Sequence, residues 1–163
     1  MTPAPRDRGS RAGRPRRAIA AGAIALALAL AVAGCGGSSA SMTGLRAAAT
    51  RACSHAAYLS ARIPPPALPA ATTDFLRRGV DVLTPELAAL HKLRAPNEAA
   101  GEYSHAVGAL ARERTLLTGA VHELDRGADP LRTIKTLQHR LAPVEAENDA
   151  AWRTLGVPAC VSR

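Results

Sequence analysis

NEAAGEYSHAVGALARERTLLTGAVHELDRGA, residues 97–128, carries its large side chains at alternating three- and four-residue steps. Ala100, Tyr103, Val107, Leu110, Arg114, Leu117, Val121 and Leu124 keep heptad spacing, which puts them on one face of an α-helix. A strand would need alternation at every second residue and a supply of β-branched side chains, and this stretch has neither. Asn97 is expected to cap the helix, and Gly127 suits a left-handed terminating residue in Arg126-Gly127-Ala128.

The same reading extends in both directions. Downstream, Asp129-Pro130 offers a cap followed by a first-turn proline. The stripe Ile134, Leu137, Leu141, Val144, Asn148, Ala151 and Leu155 then predicts a fourth helix, stopped by Gly156 and Pro158 and bent at Pro143. Upstream, Leu76, Val80, Leu83, Leu87 and Leu90 predict a second helix, opening at Thr73 or Asp74 and running to about Arg94. Pro85 lies inside it and predicts a kink, or a break with Thr84 capping a second half. A first helix is expected from Met42 to Ile63, with Leu45, Ala49, Ala52, Ala56, Leu59 and Ile63 inward. Pro64-Pro65-Pro66-Ala67-Leu68-Pro69 ends it, because proline cannot continue a helix and prefers extended geometry. Short turns between the last three segments favour antiparallel neighbours. The expected fold is all-α, an up-down-up-down four-helix bundle with kinked helices over residues 42–163.

Residues 1–34 have a different character. Six arginines and one acid (Asp7) precede Ala18–Ala33, sixteen residues of Ala, Leu, Ile, Val and one Gly. That is the arginine-rich and apolar order of an export signal, and it falls short of the about 20 apolar residues that a membrane-spanning helix needs. Val32-Ala33-Gly34-Cys35 follows, and it resembles the lipobox of bacterial lipoproteins. The resemblance implies cleavage between Gly34 and Cys35 and a diacylglyceryl group on the Cys35 sulfur. Two acyl chains hold a protein to a bilayer where one is marginal. Gly36 to Ser41 has the composition of a flexible tether for residues 35–41. Arg16-Arg17 lacks the surroundings of a twin-arginine signal, so the export route stays open. The expected location is the extracytoplasmic face of the cell membrane.

Charge supports this division. Of the formal +8, the first 34 residues hold +5, leaving +3 interspersed along the remaining 129. Such a surface is that of solvated helices, and the aromatics Tyr58, Phe75, Tyr103 and Trp152 are too few for base stacking, so no nucleic-acid partner is expected. With Cys35 alkylated, Cys53 and Cys160 have one intramolecular partner each, in a compartment that permits a disulfide. An up-down bundle brings the end of helix four beside helix one, where these two cysteines fall.

The ending Ala151-Trp152-Arg153-Thr154-Leu155-Gly156-Val157-Pro158-Ala159-Cys160, with Cys53 and the lipobox, resembles small helical lipoproteins of high-GC Gram-positive bacteria. Those proteins show a Pro-rich break after the first helix and a terminal Leu-Gly-x-x-x-Cys element. The resemblance implies location, helical fold and disulfide, and carries no activity.

No catalytic constellation emerges. Glu102-Tyr103-Ser104-His105 is one half of a di-iron Glu-x-x-His set, without a second copy, and His105 falls off the stripe; no metal or other cofactor is expected. Ser54-His55 and Ser104-His105 point about 100° apart on a helix, so neither is a nucleophile–base pair. His91, His122 and His139 have no i, i+4 partners. Arg114 and Asn148 interrupt the stripes. They fix helix register, with Arg114 free to pair with Glu145, or they line a polar ligand pocket. The sequence therefore predicts a non-enzymatic domain that docks an envelope protein through exposed apolar residues such as Leu116. The alternative is a small-molecule module built around Arg114 and Asn148.

Overall fold

Ser41 opens the first helix by accepting a hydrogen bond on its hydroxyl from the Gly44 N–H, 3.1 Å away, which satisfies one of the amides that a helix start leaves open. In the computed structural model, which describes residues 41–161, four α-helices follow: α1 (Met42–Ser60), α2 (Thr72–His91), α3 (Ala100–Asp125) and α4 (Pro130–Leu155). No strand occurs among the described residues. Gly34, Cys35 and the tether up to residue 40 lie outside them.

The helix boundaries follow local chemistry. α1 stops three residues before the expected Ile63, and Arg62 and Ile63 donate instead to Leu59 and Ser60 in a tightening last turn. α2 and α3 are each entered through a short 3-10 turn, Pro69–Ala71 and Asn97–Ala99. No side chain caps these turns, so Asn97, Thr73 and Asp74 do not take the capping roles expected of them. Ala99 stands four residues before Tyr103 and seven before Ala106, on the face that those two bury. Ala99 is buried, and Ala100, expected on the apolar face, is exposed. α4 begins as expected, with the Asp129 carboxylate accepting from the Arg132 N–H at 2.8 Å and Pro130 in the first turn. Both expected glycine stops adopt left-handed φ, +85° at Gly127 and +70° at Gly156.

α2 runs unbroken through Pro85, and α4 through Pro143. Thr84 does not cap a second half-helix; its hydroxyl donates to the Val80 carbonyl, one turn back, at 2.8 Å. Proline removes one i→i−4 bond, and the carbonyls that lose it belong to Asp81 and His139, both exposed, where water can reach them.

α3 packs against both α2 and α4, and α1 packs against α2 and the C-terminal 3-10 turn Pro158–Cys160. Two buried clusters form the core. The larger surrounds the fully buried Trp152, whose ring meets Tyr103 edge-on with centroids 5.9 Å apart. Tyr103 donates its hydroxyl to the Leu90 carbonyl at 2.7 Å, so the amphipathic ring packs without an unmet polar end. The smaller cluster gathers Leu76, Ala120, Val121, Leu124 and Leu137. Exposed ion pairs, Arg77 with Asp125 and Arg112 with Glu147, link α2 to α3 and α3 to α4. At this exposure each contributes about 0–1 kcal/mol, so apolar burial holds the helices together.

Candidate functional site

Cys53 and Cys160 form a disulfide, with Cα atoms 5.1 Å apart and both residues buried. The left-handed Gly156 makes this possible. It reverses the chain after α4, the Val157 N–H returns to the Trp152 carbonyl at 3.0 Å, and the 3-10 turn then lays Cys160 against α1. Arg46 of α1 adds a second tie, its Nε donating to the Leu155 carbonyl at 2.7 Å.

Beside this junction lies a groove of about 640 Å³. It borders both core clusters, touching Cys160 of the larger and Leu76 of the smaller. Gly79 of α2 contributes no side chain, and a Cβ built there would meet nothing within 4 Å. Glu113 of α3 and Glu145, Asn148 and Asp149 of α4 supply polar wall, while Phe75, Leu83, Leu117 and Leu141 supply apolar wall. The spacing explains the convergence. Phe75, Gly79 and Leu83 recur every four residues on α2, as do Leu141, Glu145 and Asp149 on α4, so each set shares a helix face.

Asn148 is the informative member. Its side chain is buried (5 % exposed), yet its Oδ1 has no hydrogen-bond partner within the protein. A buried amide oxygen left unmet costs about 1–3 kcal/mol. Asp149, by contrast, accepts from Arg153 at 2.9 Å.

The expected pair of Arg114 and Asn148 is not brought together at this site. Asn148 lines the groove, but its α3 neighbour there is Glu113, one position before Arg114. Arg114 is half-buried, and no ion pair joins it to Glu145 among the described residues. Glu113 lies four residues before Leu117 and shares its face, a weaker sequence signal than Arg114, which interrupts the apolar stripe itself. Leu116, expected as an exposed docking residue, is half-buried against the smaller cluster. His55, His91, His105, His122 and His139 are all exposed. Among the described residues no group of three or more His, Cys, Asp or Glu is placed to hold a metal ion, and no helix is long and apolar enough to cross a membrane.

Comparison with protein-family models, with curated proteins and with solved structures finds no match for this chain.

Proposed function

We propose that this chain is a lipid-anchored, extracytoplasmic, non-enzymatic binding module that captures a small molecule in the groove between its helices. The observation that carries the reading is Asn148: a buried polar side chain whose oxygen is unmet within the protein, on the wall of a cavity of about 640 Å³. Ligand pockets typically span about 300–1,000 Å³ and combine apolar walls with a few convergent polar groups.

The helices are read as an up-down-up-down bundle bent at Pro85 and Pro143. The short links at residues 92–99 and 126–129 and the packing of α3 between α2 and α4 support this topology. Anchoring rests on Val32-Ala33-Gly34-Cys35 and on an oxidised cysteine pair, which suits an exported protein. Cys35→Ser should release the protein or leave its leader attached; unchanged membrane association and unchanged mass would refute the anchor.

Asn148→Leu separates the ligand reading from a structural one. Replacing an unmet amide by an apolar side chain should raise Tm while abolishing capture of small molecules from a cell extract, followed by native mass spectrometry. A fall in Tm with capture intact would refute it. A second reading, docking of an envelope protein, is favoured by a shallower groove of about 620 Å³ between α3 and α4, where Ala111, Leu116, Pro143 and Val144 form an apolar floor.

A further inference from the structure

We propose that the exposed proline-rich segment between α1 and α2, residues 64–69, is a docking strip for a partner protein whose binding groove is lined by aromatic side chains and edged by a carboxylate. This inference is independent of the groove beside Asn148.

The segment reads Pro64-Pro65-Pro66-Ala67-Leu68-Pro69, and all six residues are exposed. Proline holds its own φ at about −65° and pushes the residue before it to extended geometry, so Ile63, Pro64, Pro65 and Leu68 are all held extended. Leu68 lies at φ −136° and ψ 151°. Three consecutive prolines make one turn of a polyproline helix, about 9 Å long. Both ends are tied: the Ile63 N–H donates to the Ser60 carbonyl at 3.0 Å, and the Ala71 N–H to the Leu68 carbonyl at 2.9 Å. Between these ties the carbonyls of residues 63–67 meet no donor among the described residues. Ending α1 does not account for the arrangement. The helix stops at Ser60, before the first proline, and one proline is enough to prevent its continuing.

The partner's chemistry follows from what the strip presents. Proline has no N–H, so the strip offers ring faces and carbonyl acceptors and few donors. The complementary surface is a row of aromatic rings with donors at their edges, which Trp and Tyr supply. Because the strip is already extended, binding it costs little ordering. One flank is fixed as well. Arg62, just past α1, donates from Nη1 to the Tyr58 hydroxyl at 2.9 Å, and its guanidinium carbon stands 5.2 Å from the centre of that ring. No carboxylate pairs with Arg62 among the described residues, which leaves its charge for one on the partner. The large apolar side chains exposed among the described residues are Tyr58, Leu68 and Leu131, and the first two belong to this strip or its flank.

The test places photoreactive p-benzoylphenylalanine at Ala67 of the full-length protein, in cells that carry it as their own, and irradiates the freshly broken cells. One partner protein should be joined to the strip. Its capture should fall about tenfold or more with Pro65→Ala and Pro66→Ala together. A synthetic peptide of residues 61–70 should compete, and the same peptide with its prolines changed to alanine should not. The captured protein, once purified, should bind that peptide with a change in its own Trp or Tyr fluorescence. Arg62→Ala in the peptide should weaken binding at low salt and remove most of its salt dependence. Pro85→Ala, at an exposed proline inside α2, should leave capture unchanged, and circular dichroism should show the same helix content in every variant. No adduct, an adduct that survives the double alanine change or ignores the peptide, an adduct with a second copy of this chain, or a captured protein whose aromatic fluorescence does not respond would each overturn the proposal.

Discussion

Reduction of the Cys53–Cys160 bridge tests how much of this fold depends on restricting the unfolded chain. The two sulfurs join positions 107 residues apart. In the chain-entropy account, closing a loop of that length removes about 16 cal/mol/K from the unfolded ensemble, or about 4.8 kcal/mol at 25 °C. For roughly 120 residues the unfolding entropy near the melting point is about 250 cal/mol/K, so the bridge should hold Tm up by about 15–20 °C. Reduction is a cleaner perturbation than Cys→Ala. Both cysteines are buried, and keeping the thiols avoids opening a cavity beside Ala49 and Trp152. The assay is thermal unfolding followed by helix circular dichroism, with and without dithiothreitol, and with thiol titration to establish complete reduction. Below the transition, the helix signal should be nearly the same in both states, since α2, α3 and α4 pack without the bridge. A shift smaller than about 5 °C, roughly 1 kcal/mol, would refute the reasoning. It would mean that the unfolded chain already keeps these ends close.

The two left-handed glycines should respond differently to alanine. At Gly127 the cost should be the backbone strain alone, about 1 kcal/mol by urea unfolding, since a Cβ there meets nothing within 4 Å. At Gly156 it should exceed that, because the Cβ would lie 3.1 Å from the Arg46 Nε that donates to Leu155; a double-mutant cycle with Arg46→Ala should show strong non-additivity, and additive effects would refute the coupling. Tyr103 predicts the alkaline limit of stability. Burial pushes its phenol from 10.0 up to about 12, so between those values the unfolded chain has lost a proton that the folded chain still holds. Its contribution is complete below pH 10 and should be lost at about 1.4 kcal/mol per pH unit as pH rises towards 12, a slope that Tyr103→Phe should remove.

The all-helical class, the capping Asp129 and the glycine stops were readable because each is local: a period, a cap, a residue that tolerates positive φ. The cysteine pair was readable because few partners were available. Missed features depended on the three-dimensional arrangement. Ala106, Ala109 and Ala120 are buried because α3 packs against two other helices, yet alanine gives hydropathy patterns little to distinguish. Ala99 is buried in place of Ala100 because it stands four residues before Tyr103 and seven before Ala106, a face that its small side chain does not announce. In the candidate site, Asn148 stood out as a polar residue in an apolar stripe, but the groove depends equally on Gly79, whose contribution is missing volume. Empty space between helices leaves no signature in any single segment, so Arg114 was selected in place of Glu113.

The position of the bridge also has a consequence for biogenesis. A ribosome delivers the chain amino end first, so the Cys53 thiol emerges 107 residues before the sulfur it must meet. For an exported protein, the thiol stays unpaired until both cysteines have reached the oxidising side of the membrane. During that interval α1 lacks the turn that will cover it. Closure of the domain therefore waits for Cys160 to join Cys53 in a compartment that permits oxidation, and a truncation that removes Cys160 leaves Cys53 without its partner.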